Sequence, residues 1–352
     1  AASDVYKRQT TSEAIPQYGD WDEGRVLAVT QDPLSITGAT LLGAATCGGG
    51  ALDEWRAQHD ECAWYSQSGI PMNLDVPESK GSDLGGGIAR LSLRDWTAWL
   101  KAGSAPSHGH ADLLSVSISR NGTWLVGDPG TGTYNGDLAH RTYFRSSRAH
   151  NVLRVDGVDQ LEPHRVFRWR HRAQGVIGDP IDIPEASIIW GMHNAYCRLD
   201  PSRRIVRAVV ATADSITTID WVEGAPTAFE LSIPLHPTLT LVEEGLVSTS
   251  DERFALDLPG RHRATIGSTD PYEGWWSSTY GHAVPTATIE LSGTTALPVV
   301  WSIRRPGTPS AKATSDGVTV APVSVSVRWQ AAGATLDVAG ATSAVSMPIR
   351  NP

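Results

Sequence analysis

Residues 113–130 read LLSVSISRNGTWLVGDPG, and the fold class turns on this stretch. Leu114, Val116 and Ile118 alternate with Ser115, Ser117 and Ser119. A period of two places the apolar side chains on one face of an extended strand. Asn121-Gly122 comes next, a pair that readily adopts the positive φ of a two-residue hairpin turn. Thr123-Trp124-Leu125-Val126 then returns as the partner strand. Similar runs follow at Ile205–Ala211, Ile216–Val222, Phe229–Ile233, Leu239–Val242, Thr286–Leu291, Val299–Ile303 and Val323–Trp329, broken by Asp156-Gly157, Glu223-Gly224 and Pro259-Gly260. Strand after strand without an intervening helix predicts antiparallel pairing, not a parallel α/β sheet. The expectation is a mostly β chain with a large antiparallel β-sandwich over residues 76–352, helices largely confined to residues 33–68, and a last edge strand near Val345-Ser346-Met347-Pro348.

Upstream the pattern is helical. Asp32-Pro33 supplies an N-cap and a first-turn proline. Leu34, Ile36, Leu41, Leu42 and Ala45 follow at helical spacing, and Gly48-Gly49-Gly50 ends the run. A second short helix is expected over Leu52–Gln58. Two small helices cannot bury a core, so residues 11–75 read as the end of a larger helical domain. Residues 1–10 look foreign, since Asp4-Val5-Tyr6-Lys7-Arg8-Gln9 matches the translation of a common transposase sequencing adapter. The natural protein is therefore expected to begin further upstream.

The chain has 352 residues, with 40% hydrophobic and 19% charged, a globular composition. No apolar run approaches the roughly 18 residues of a membrane span. Cys47, Cys62 and Cys197 form no CxxC pair and suggest neither a disulfide framework nor a thiolate metal site. The net charge of −9 argues against nucleic acid as a partner. Between Arg141 and Arg172, however, eight arginines face only Asp156, Asp159 and Glu162. A basic patch on an acidic protein suits an acidic substrate held in one cleft.

The chemistry-bearing segment is Ser107-His108-Gly109-His110-Ala111-Asp112. Read as strand, it sends 108, 110 and 112 to one face, and imidazole and carboxylate donors suit Zn²⁺. Hydrogen-bonded strand histidines would look the same. Asp128 follows the partner strand of the hairpin and can fold back towards His110, though Asp128-Pro129-Gly130 is also an ordinary turn sequence. Arg148-Ala149-His150-Asn151 supplies a third nitrogen donor.

The ordered set HGHAD, GDPGT, YFRSxxAHN and VDG, at residues 108–157, resembles the heparinase II/III-like polysaccharide lyases. The likeness runs more weakly from Gly19-Asp20-Trp21-Asp22-Glu23-Gly24-Arg25 to His236-Pro237. It implies an N-terminal (α/α) toroid followed by an antiparallel β-sandwich, with nearly all of the toroid missing here. It also implies that His110, Asp128 and His150 hold a zinc ion which braces the site. His108 would face the cleft as a catalytic residue, and Tyr134 matches the loop of a cleft tyrosine. Asp112 would orient a histidine ring. The family's toroid contributes a Tyr and an Asn or His, so this chain alone is expected to show little activity. A periplasmic or secreted location follows from the resemblance only.

The implied reaction is β-elimination on a uronic-acid-containing glycan. The C5 proton is acidic enough only when the uronate carboxylate is countered; a base removes it and an acid protonates the departing C4 oxygen. Arg145 could offer the substrate carboxylate a bidentate fork. Heparan sulfate, alginate, other glycuronans and bacterial exopolysaccharides all fit. Two other classes stay open: a non-catalytic carbohydrate-binding β-module, and a zinc hydrolase using HxH, Asp and His. Elimination makes an ultraviolet-absorbing unsaturated sugar, hydrolysis does not, and a binding module makes no product. Asp20, Asp22 and Glu23 read as turn and cap residues, His164 and His236 as structural or rim groups, and Trp221, Trp275 and Trp276 as core with the option of stacking on sugars.

Overall fold

The computed structural model describes residues 81–83, 87–104, 109–134, 137–165, 167–243, 245–338 and 341–347. All of them fall in one of the two compact units into which the chain divides. The expected helices at 32–59, the wider segment 11–75, the adapter-like residues 1–10, and both Cys47 and Cys62 lie outside the described residues.

The described unit is built of antiparallel strands. The first sheet is a meander in sequence order: β1 (Gly81–Asp83), β2 (Ile88–Leu93), β3 (Trp96–Lys101), β4 (Val116–Arg120) and β5 (Thr123–Val126). The Asn121-Gly122 hairpin joins β4 to β5, with Asn121 and Gly122 at φ 48° and 75°. Positive φ at both central residues is what such a turn needs. Leu114 and Ser115 precede β4 instead of belonging to it, and Leu114 itself has φ 67°. Every residue of β4 is buried, Ser117 and Ser119 included. The alternation therefore marks two covered faces, not one wet face.

The reason is a larger, nine-stranded sheet that forms a middle layer. At its centre strands Ala186–His193, Ile205–Ala211, Ser215–Val222 and Val299–Arg304 lie side by side. One face packs Ile205, Val209, Ile216 and Trp301 against Trp96, Leu100, Val116 and Ile118 of the first sheet. The other face packs Val206, Val210, Ile219 and Val300 against Val318, Val323, Val325 and Leu336 of a five-stranded C-terminal sheet. Strands covered on both sides read as near-continuous apolar runs, as Ile205–Ala211 does apart from Arg207. The sandwich thus carries an additional layer, with Ala341–Ser346 as one of its two edge strands.

A four-stranded sheet (Leu153–Val155, Ala228–Pro234, Ala287–Thr294, Arg261–Ile266) completes the core, and the ribbon Trp275–Thr279/His282–Pro285 stands apart from the sheets. Trp221 and Trp276 are buried, and Trp275 donates its indole N–H to the Ser268 carbonyl at 2.7 Å. Among the described residues one α-helix lies in the strand-rich part: α1, Leu138–Arg145, capped by the Asp137 carboxylate, which accepts from the Ala139 N–H. Eight residues are too few for a periodic apolar stripe to stand out.

His193, at the end of a central strand, is 1% exposed. Burial, then the Arg207 and Arg198 cations, push its imidazole down to about 3. Its folded value lies below the ordinary 6.5, so the unfolded chain takes up a proton that the folded chain refuses. Stability is complete above pH 6.5 and is lost as pH falls towards 3. The full contribution is roughly 5 kcal/mol. His193→Gln should remove most of that slope between pH 7 and pH 4 in denaturant titrations, and an unchanged slope would move the effect to other groups.

Candidate metal centre and cleft

Residues 109–112 of the HGHAD segment run as a loop before β4, not as a strand, which corrects the strand reading. Its backbone polar groups therefore need partners other than a ladder. The Ala111 N–H donates to the Arg145 carbonyl at 2.9 Å, and the Ala111 carbonyl accepts from Ser147 Oγ at 2.7 Å. Gln160 grips the N–H and carbonyl of Leu113 at 2.8 and 2.9 Å. Asn151 does the same for Val116, at 2.7 Å each way. The loop is thus sewn to the segment 145–160, which carries His150 in the turn after α1.

That stitching brings His110, Asp128 and His150 together in the interior, at 1%, 6% and 0% exposure. His110 Nδ1 lies 3.0 Å from His150 Nε2. Each of these nitrogens is 3.4 Å from an oxygen of Asp128. Donors held ~2.0–2.1 Å from a tetrahedral ion are ~3.3 Å from one another. The spacing is that of a coordination triangle, so the cluster can hold a metal ion. His150 Nδ1 is 2.9 Å from the Ser146 carbonyl and must donate to it, which leaves Nε2 as the lone-pair nitrogen facing the centre. Burial opposes the charge on Asp128, but His150 and His110 outweigh it and hold the carboxyl well below the usual carboxylate range. Asp128 Oδ1 also accepts from the Gly130 N–H at 2.8 Å, so the turn and the centre share one side chain.

Asp112 has a donor oxygen within 4.8 Å of the other three. Its carboxylate is gripped by Lys101, at 2.6 and 2.5 Å, a neutralising partner on β3 that the sequence did not point to.

Tyr134 lies in the loop after Gly130, packed between rings from distant segments. Its centroid is 5.0 Å from Tyr280 and 5.6 Å from Phe167. Arg141 of α1, 2% exposed, holds its guanidinium 5.0 Å from the Tyr134 centroid. Tyr280 sits at the tip of the Trp275–Pro285 ribbon, is 38% exposed, and its hydroxyl accepts from the Tyr134 N–H at 3.2 Å. Neither Tyr280 nor Phe167 carries a local motif; only tertiary packing places them here. Arg145 is 3% exposed, stacks 4.2 Å over Trp169 and donates to the Arg165 carbonyl. It thereby braces Arg165 and Trp169. His108 lies outside the described residues.

Gly130 ties this loop to the ribbon. It has φ 89°, and a Cβ there would lie 2.0 Å from the Ser277 carbonyl oxygen. Gly130→Ala should cost more than ~1 kcal/mol through strain and displaced backbone. An unchanged melting temperature would mean that the two segments part freely.

The chain belongs to the heparinase II/III-like family: the model of that family's C-terminal domain matches residues 80–321. No curated protein matches the chain in sequence. Among solved structures it is similar to heparan sulfate lyase HepC from Pedobacter heparinus (mutant form), at 15% identity and a TM-score of 0.56, over 98% of this chain and 51% of that one. It is also similar to the heparinase III BT4657 gene product, at 14% identity and a TM-score of 0.58, over 97% and 51%. The chain spans about half the length of these structures, and likeness at this identity concerns the fold. Among the described residues no helix is long and apolar enough to cross a membrane.

Proposed function

We propose that this chain is the sandwich part of a polysaccharide lyase that cleaves a uronic-acid-containing glycan by β-elimination. The observation that carries the reading is the buried His110–Asp128–His150 triangle, set in a chain of the heparinase II/III-like family. Two imidazoles and one carboxylate suit Zn²⁺, and bound zinc would brace the loops as a structural ion. His108 is the base or acid at the cleft, two residues from ligand His110. Tyr134 is its partner, with its ring held by Tyr280, Phe167 and Arg141 so that the hydroxyl keeps one direction. Proton transfer by groups so placed depends on orientation as much as on acidity. Arg145, which also braces Arg165 and Trp169, is the guanidinium offered to the substrate carboxylate. One of the similar structures is a heparan sulfate lyase, and a sulfated or plain glycuronan is the substrate class offered here. A periplasmic or secreted location accompanies that substrate.

Activity is tested by incubating the chain, joined to a helical toroid, with heparan sulfate, alginate and chondroitin sulfate. Absorbance of an unsaturated uronate should rise with at least one of them. New reducing ends without that absorbance would mean hydrolysis, and binding without either would leave a carbohydrate-binding module.

A further inference from the structure

Arg207 sits in the middle of the central strand Ile205–Ala211 and is 0% exposed. Its neighbours on the same face, Ile205, Val209 and Ala211, are all part of the apolar core. Directly across the ladder is Asp220, 1% exposed, which accepts from Arg207 Nε and Nη2 at 2.8 and 2.7 Å. A buried ion pair is weak support for stability, because desolvation offsets much of the attraction and well-packed apolar residues often do as well. The remaining arm of the guanidinium shows what the pair does instead. Arg207 Nη1 donates to the Leu114 carbonyl at 2.8 Å and also to the Asn151 carbonyl. Leu114 ends the loop of His110 and Asp112, and Asn151 follows His150. On the other side of Arg207 the ladder partner is Gly191, where a Cβ would come within 3.0 Å of the Leu114 side chain. A bare backbone there leaves room for the loop to reach the sheet.

We propose that Arg207, aimed by Asp220, is a positioning residue that clamps both metal-site loops to the central sheet. The planar guanidinium is required, since one side must satisfy a carboxylate while the other spans two carbonyls. Asn151 closes the same joint, because its amide holds Val116 while its carbonyl is held by Arg207. The clamp is independent of which substrate is cleaved; only its effect on zinc rests on the metal reading above.

The test replaces the pair with apolar residues of similar volume, Arg207→Met with Asp220→Leu, in the 352-residue chain. If the pair serves stability alone, this variant keeps the parent's amide exchange and zinc affinity, and the proposal is overturned. The expected result is a retained melting temperature with amide exchange at 110–116 and 150–152 faster by ~10-fold or more. Zinc affinity, measured against a chromophoric chelator, should fall ~10–100-fold, the usual cost of losing an outer-shell partner. Acceleration spread evenly over the whole sheet also overturns it, since that is general loosening. If the double variant does not fold, Arg207→Lys decides: it keeps the charge opposite Asp220 but cannot span both carbonyls, so the same two segments should loosen. A parent chain that takes up no zinc removes the metal reading, while the exchange data still judge the clamp.

Discussion

His110→Ala should strip the chain of bound zinc and destabilise it at the same time. The Asp128 side chain is 1% exposed and faces His110 and His150 at 3.4 Å each. Removing one imidazole leaves a buried carboxylate with half of its compensation, at a cost of ~3–5 kcal/mol. The loss of affinity should exceed the ~100-fold typical of outer-shell changes, because a donor atom itself is gone. Metal content by elemental analysis and melting curves with and without a chelator check both parts. The chelator should lower the parent's melting temperature and leave that of His110→Ala almost unmoved. A parent indifferent to chelator, with a variant that melts alongside it, would reduce the triangle to a hydrogen-bonded histidine pair.

His108→Ala should separate chemistry from metal. In a chain joined to the toroid that the family resemblance implies, its turnover should fall ~10²–10⁴-fold, the usual weight of a general acid or base, with zinc retained. Tyr134→Phe is the companion variant. It keeps the ring among Tyr280, Phe167 and Arg141 and removes only the hydroxyl, so a similar fall would locate the effect at that oxygen. Initial rates of unsaturated-product formation and zinc content are read on the same preparations. Loss of zinc from His108→Ala, or near-parent elimination in both variants, would withdraw these roles.

Much of this architecture was legible in advance. The Asn121-Gly122 hairpin, the antiparallel pairing and the runs at 205–222 and 299–303 all follow from local rules, because turn chemistry and side-chain period act between residues close in sequence. Trp96–Lys101 and Ala186–His193, covered on both faces, lack the alternation that marks a half-wet strand. The helix Leu138–Arg145 escaped because eight residues show too little periodicity.

The candidate site divides in the same way. His110, Asp128 and His150 stood out by residue type and by the ordered motifs around them, and family resemblance carried their grouping further than spacing could. Their direction did not follow from the sequence. Reading 108–112 as a strand placed side chains by alternation, whereas residues 109–115 run as a loop, and the backbone from Ala111 to Val116 is held by Ser147, Gln160, Arg207 and Asn151. Lys101 beside Asp112, and Tyr280 beside Tyr134, sit 11 and 146 positions from their partners. The sequence by itself determined the kinds of donor, the turns and the strand-rich class, since these depend on side-chain chemistry and on neighbours along the chain. Only the tertiary structure decided which groups meet, how deeply Asp128 is buried, and that a core arginine reaches out to two loops. Those outcomes depend on sheet register and layer packing, which are set by the sum of many weak long-range contacts and leave no local signature.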